Sequence, residues 1–408
     1  MSTEHSKRAA KFTADVEKTT WHDATFWSVR QKRDKMAHEL PEWEDLRELA
    51  SEIKMHTITH LADYLDVFSK NLESRGVKVH WAKDAQEFNE IVLGILNDHH
   101  VKKMVKSKSM LTEECEMNPY LEKHGIDVVE TDLGERIIQL LGQKPSHIVM
   151  PAIHLKREEV GKMFEEKGIS KEIGNYDPTY LTRCARHHLR NQFIEAGAGM
   201  TGCNFGVAET GDCVVCTNEG NADMTTSMPK LHIVAMGIEK LVPDYKSLAV
   251  FQRLLCRCGT GQPTTAFTSH FRQARPGAEM HVVLVDNGRS DILADKDHWQ
   301  TLKCMRCGAC MNTCPVYRRS GGYSYTYFIP GPVGVNLGML KNPQKYADNV
   351  SACTLCLSCD NVCPSKVGPG SQIYVWRQSL DRLGKANPIK KAMSSGMEYL
   401  FDRPSLYT

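Results

Sequence analysis

A cysteine pattern written twice constrains this chain more than any other feature. Residues 304–315 read Cys304-x2-Cys307-x2-Cys310-x3-Cys314-Pro315, and residues 353–364 read Cys353-x2-Cys356-x2-Cys359-x3-Cys363-Pro364. Each cysteine of the second copy follows its counterpart by 49 residues, so the repeat holds without a slip. Three closely spaced thiolates with a fourth beside proline form the bacterial-type ligand set of a [4Fe-4S] cluster, in which the fourth cysteine serves the cluster of the other repeat. The spacing predicts two [4Fe-4S] clusters with crossed ligation. Cys304, Cys307, Cys310 and Cys363 would hold cluster 1, and Cys353, Cys356, Cys359 and Cys314 would hold cluster 2. Two cubanes held this way lie close together and pass electrons one at a time.

Other uses of eight cysteines fit less well. Structural zinc takes its ligands in paired C-x2-C or Cys/His groups, whereas here four cysteines fall within eleven residues, twice. Disulfides need an oxidising compartment, and the chain opens with no apolar signal segment or cleavage site, which reads as cytosolic. Lys303, Arg306, Arg318, Arg319 and Lys366 flank the ligands. Positive charge near an anionic cluster raises its potential within a window of roughly −700 to +450 mV. The direction of electron flow stays open.

A length of 408 residues suggests about two or three domains. Lysine plus arginine (51) exceeds aspartate plus glutamate (49) by two, which excludes a general polyanion or nucleic-acid binder. No run of 18 apolar residues is present, so no membrane-spanning helix is expected. Fifteen cysteines is a high count, and the repeat uses only eight of them.

Along the chain, residues 1–41 read as an irregular or helical leader with scattered aromatics and no assigned function. The apolar positions from Leu46 to Leu72 recur at helical spacing up to Gly76, with a break near His56. From Val77 the period changes. Strands are expected at Val77 to Trp81, Val101 to Val105, Ile126 to Val129, His147 to Met150, Cys213 to Thr217, Leu231 to Met236 and His281 to Val285. Helical segments such as Arg157 to Lys167 and Tyr180 to Glu195 separate several of them. Such alternation predicts an α/β domain with a largely parallel sheet. The expected division is residues 1–75 helical, 76–297 α/β, and 298–408 helical and cluster-bearing. The aromatic run Tyr323 to Phe328 between the motifs is expected to pack around the clusters and keep water away.

Within the α/β part, Gly197-x-Gly199-x-x-Gly202 matches a dinucleotide fingerprint by spacing, but a helix precedes it where a strand should, so no such site is expected. A ligand pocket is placed on Lys106, Ser107 and Ser109 at a strand's carboxyl end, and on Glu209, Asn218 and Glu219 at the ends of another strand. Cys213 and Cys216 lie three apart in a strand and point to opposite faces. Cys256-x-Cys258 would place both thiols on one face if extended.

The order of these motifs resembles one family, the lactate utilization protein B group, iron-sulfur subunits of a three-part L-lactate oxidising complex. The matching residues include Val105 to Met110, Val129 to Glu135, Phe205 to Thr210, Thr217 to Asn221, Pro229 to Val234, Gly237 to Lys240, Thr260 to Pro263 and Asp286 to Ser290, leading into the first cysteine motif. The resemblance implies a LUD domain, related in fold to the CoA-transferase and sugar-phosphate isomerase class, followed by a helical dicluster ferredoxin. It implies an electron carrier between lactate oxidation and a membrane-bound acceptor. Its partners would be a cysteine-rich-domain subunit and a second LUD protein, in the cytoplasm or peripheral to the inner face of the membrane. Two other readings stay open: a different donor in a paralogous complex, or a LUD domain acting on a small carboxylate or phosphorylated substrate.

Overall fold

Alternating strand and helix segments gather into a sheet with apolar residues on both faces. The computed structural model describes residues 3–406 apart from 381, 386 and 387. The strands are β1 (Lys78–Ala82), β2 (Lys103–Lys106), β3 (Asp127–Glu130), β4 (Ala198–Gly202), β5 (Phe205–Val207), β6 (Asp212–Thr217), β7 (Leu231–Gly237), β8 (Leu241–Val242), β9 (Phe267–Phe271) and β10 (Glu279–Val285). Six of them form one sheet in the order β1-β10-β7-β4-β2-β3, and every pairing in it is parallel.

A parallel sheet needs cover on both sides, and the side chains of β7 and β10 show how it is met. Ile233, Ala235, Val283 and Val285 point into a core with Phe88, Val92 and Leu96 of the helix Ala85–Asp98. The alternate residues Val234, Met236, Val282 and Leu284 face Phe68 and Leu72 of the helix Leu61–Glu73. The helix Ala85–Asp98 starts at an N-cap, with Asp84 accepting from the Glu87 N–H at 2.9 Å.

The remaining strands form a mixed sheet, β8-β5-β6-β9, in which β5–β6 and β6–β9 are antiparallel and β5–β8 is parallel. Phe205 and Val214 of this sheet share a core with Trp43 and Leu46 of the helix Trp43–Thr59 and with Phe251 and Leu254 of the helix Tyr245–Gly259. That same core takes in Met305, Cys307 and Ala309, so the first cysteine motif is seated directly on the α/β part.

Two sequence expectations change, and one segment without an expected structure finds its place. The strand expected at His147 to Met150 is absent, because the His147 ring takes the N–H groups of Val149 and Met150 at 3.0 Å and the chain curls around it. The break in the long helical stretch falls at His60, four residues beyond His56, where φ/ψ is −111°/31°. The glycine-rich segment is a fully buried central strand, β4. At Gly199 an added Cβ would lie 1.8 Å from the carbonyl oxygen of Thr225, so the glycine lets the helix Asn221–Ser227 sit on the sheet. Gly199→Ala is expected to cost about 1–3 kcal/mol through overpacking, read as an earlier chemical denaturation midpoint, whereas Gly94→Ala, with open space around it, should not.

The leader is helical, Glu4–Thr13 and Val16–His38, and it wraps the cysteine motifs. Phe26 is fully buried and meets the Tyr317 ring edge-on, with centroids 5.1 Å apart. Nδ1 of His22 hydrogen-bonds the Arg318 carbonyl at 2.7 Å. Arg33 donates to the Val362 carbonyl, and Arg47 of the next helix donates to that of Cys363 at 2.9 Å. Buried guanidinium groups from both helices therefore fix the second motif by its backbone.

Candidate metal centre and the cavity beside it

The two motifs fold alike. Cys310 rides on the short helix Ala309–Thr313 and Cys359 on Ser358–Val362, and each helix follows a residue with positive φ, Gly308 at 81° and Leu357 at 57°. Arg306 and Leu355, also at matching positions, adopt φ of 61° and 56°. That turn aims a backbone N–H back at the first cysteine: Arg306 N lies 3.4 Å from Cys304 Sγ, and Leu355 N lies 3.3 Å from Cys353 Sγ. The Val367 N–H approaches Cys363 Sγ at 3.3 Å. Such amide donors suit a sulfur that carries negative charge.

Thiols from both motifs converge. Cys304, Cys307, Cys310 and Cys363 line one small cavity, closed by Val333, Val367 and Ile148. The Cys314 thiol lies within electrostatic reach of Cys353 and Cys356, and Cys359 within reach of both Cys314 and Cys310. Burial pushes Cys363 up to about 12 and Cys314 up to about 11, so both are neutral thiols unless a cation draws off the proton. Four thiols converging on one small cavity fit a polynuclear iron-sulfur core. Around them Tyr317, Tyr325, Tyr327, Met311 and Ile329 form an apolar casing, as expected for the aromatic run.

Beside the first motif lies a cavity of about 620 Å³. It opens at the carboxyl ends of β2, β4 and β7, lined by Ser107, Gly202 and Gly237, and it reaches Met305, Arg306 and Cys307. Met305, Cys307 and Ile148 line both this cavity and the small one among the thiols. A single layer of side chains separates the two spaces.

Charge in the large cavity is divided. Toward the cysteine motif, Arg289 bridges Glu114 and Glu239, at 3.0 and 2.5 Å. Burial alone would raise Glu239, but the Arg289 guanidinium holds it down to about 2. Lys240 and Arg306 stand nearby with no salt bridge or side-chain hydrogen bond among the described residues, and Nη1 of Arg306 is buried without an acceptor. At the other end, Lys108 pairs with Glu135 at 2.5 Å, and Glu219 accepts from the Leu133 N–H at 3.1 Å. Burial, reinforced by Glu219, pushes Asp132 up to about 6.

The pocket residues expected from sequence divide the same way. Ser107, Ser109, Asn218 and Glu219 line the cavity. Lys106 does not: it is fully buried and paired with Glu130 at 2.7 Å and Glu113 at 3.4 Å, an internal charge pair beneath the sheet edge. Glu209 does not either, because it lies exposed at the turn between β5 and β6, with its N–H bonded to the Pro243 carbonyl. The cations Lys108, Lys240 and Arg306 and the thiols of Cys203, Cys216 and Cys256 also line the cavity. Cys256 and Cys258 sit in a helix, not an extended segment, so their thiols diverge. Cys256 faces the cavity and Cys258 packs against Cys307 in the core. Cys213 is buried in the sheet core while Cys216 turns to the cavity, the opposed pair expected of strand residues three apart.

With this geometry established, similarity to known proteins decides the family. Residues 65–290 match the LUD domain and residues 300–367 match the 4Fe-4S dicluster domain. The chain is 40% identical to lactate utilization protein B of Oceanobacillus iheyensis, over 93% of this chain and 80% of that one. It belongs to the lactate utilization protein B family. Identity is 42% to the family member of Macrococcus caseolyticus, over 83% of this chain and 72% of the relative. It is also 42% to that of Geobacillus thermodenitrificans, over 90% and 79%. The family fold is a LUD domain with a largely parallel sheet joined to an iron-sulfur domain, and no helix among the described residues is long and apolar enough to cross a membrane.

Proposed function

We propose that this chain is the electron-transfer subunit of a multi-subunit oxidoreductase that converts L-lactate to pyruvate, and that it carries two [4Fe-4S] clusters. The observation that supports this reading most is that Cys363 of the second motif shares a small cavity with Cys304, Cys307 and Cys310 of the first, within a dicluster domain of a chain whose relatives are named for lactate utilization. Cys304, Cys307, Cys310 and Cys363 would hold one cluster, and Cys353, Cys356, Cys359 and Cys314 the other. When bound, the clusters supply one-electron transfer, and oxidation of lactate to pyruvate releases two electrons and two protons. The chain's own residues do the rest. Backbone N–H groups of Arg306, Leu355 and Val367 favour the charged sulfurs. Tyr317, Tyr325 and Tyr327 exclude water.

In this reading residues 76–297 form the LUD unit, 298–408 the cluster unit, and the helices of 1–75 brace the two. Catalysis at lactate lies with partners, a cysteine-rich-domain subunit and a second LUD protein, and a membrane-bound acceptor takes the electrons at the inner face of the membrane. Anaerobic co-purification from native cells tests this. The complex is expected to reduce the clusters of this chain when L-lactate is added, and the purified chain alone is expected to stay oxidised. Lactate-dependent reduction of the isolated chain would overturn the assignment of catalysis to a partner, and a complex indifferent to lactate would point to another donor.

A further inference from the structure

We propose that the 620 Å³ cavity is a binding site for a hydroxylated organic anion, carboxylate or phosphate, whose charged head sits between Lys240 and Arg306 against the first cysteine motif. Its size is in the range of ligand pockets, about 300–1,000 Å³, and it opens where parallel α/β sheets bind ligands, outside the carboxyl ends of the strands.

The cations carry the argument. A cation held away from water without an acceptor is costly; Nη1 of Arg306 is such a buried orphan, and beside it half-buried Lys240 has no hydrogen bond or salt bridge among the described residues. Glu114 and Glu239 offset part of this charge, but their hydrogen bonds are spent on Arg289, which leaves the donors of Lys240 and Arg306 without a partner among the described residues. A third cation, Lys54, already spends its hydrogen bonds on the carbonyls of Glu239 and Leu241 behind this wall. An anionic head group would meet both free cations at once, with one layer of side chains between it and the thiols of Cys304, Cys307, Cys310 and Cys363.

The opposite end selects the rest of the ligand. Asp132, Glu135 and Glu219 outnumber the one lysine there, Lys108, so that end repels a second anionic group and offers acceptors to hydroxyls. Between the ends, Ile137, Val149 and Leu255 provide apolar walls. The proposal rests on the cluster reading only for what the ligand's head adjoins; binding itself requires the cavity alone.

The test uses the full chain, reconstituted anaerobically and titrated calorimetrically with L-lactate and with glycerol 3-phosphate. One of them is expected to saturate a single site per chain, lactate marking a carboxylate head and glycerol 3-phosphate a phosphate head. Lys240→Gln should weaken that binding about tenfold or more, the effect of one charge-assisted contact. Arg306→Lys should weaken it less, and Lys78→Ala, exposed at the opposite end of the sheet, should leave it unchanged. Binding should also alter the EPR signal of one cluster in the reduced protein. Saturation by neither probe, or equal affinity in Lys240→Gln, would overturn the proposal and leave the cations as counter-charges to the thiolates. Iron is counted in each sample, so a protein without clusters would contradict the electron-transfer reading while the calorimetry still judged the cavity.

Discussion

Replacing Cys363 with alanine is expected to empty the cluster of the other motif. About four of about eight irons per chain should be lost, counting four per cubane, and the survivors should be those on Cys353, Cys356, Cys359 and Cys314. The expectation follows from position: Cys363 belongs to the second motif by sequence, yet its thiol shares a cavity with Cys304, Cys307 and Cys310. Cys314→Ala should do the converse. Iron and sulfide analysis with EPR of the reduced protein checks both. If Cys363→Ala instead lost the signal that Cys353→Ala loses, each motif would be holding its own cluster.

Arg289→Met should produce the largest loss of stability among single changes in the α/β part. Arg289 is buried and is the counter-ion of two carboxylates, Glu114 and Glu239. Removing one partner of a buried ion pair costs about 3–5 kcal/mol, on the order of 10 °C in thermal midpoint for a domain of this size. The loss should depend on pH. Glu239 is held near 2 in the folded chain, below its ordinary range, so its contribution is present above the unfolded value of about 4.3 and fades as pH falls toward 2. Without Arg289, burial raises the Glu239 carboxyl instead, so the variant should lose stability as pH rises past about 4.3 and lie closest to the parent in acid. Thermal melts of anaerobic protein between mildly acidic and neutral pH would show the gap widening with pH. A pH-independent gap would mean that Arg289 acts through packing alone.

How much of this was legible beforehand depends on whether the signal was local. The cysteine spacing is local, and so are the apolar runs of β7 and β10, whose strands appear where expected. The N-cap at Asp84 is legible for the same reason. By contrast, β4 is hidden because glycine is a poor strand former, and only the closeness of the Thr225 carbonyl explains the glycine at position 199. His147 to Met150 fails as a strand because a side chain, not a neighbouring strand, satisfies its amides. The pocket was half visible. Ser107 and Ser109 end a strand and could be placed, but Lys106 differs from Lys108 only in which way the chain turns it, inward to Glu130 or outward to Glu135. Lys240 and Arg306 lie 66 positions apart, and nothing local marks them as neighbours on one cavity wall.

The most direct measurement of the central claim is an iron and acid-labile sulfide count on anaerobically purified full chain, joined to a reductive titration followed by EPR. The account predicts about eight irons and eight sulfides per chain, two per-cluster values of four, and uptake of up to two electrons in one-electron steps. Iron near zero, or about four with a single reducible centre, would contradict it.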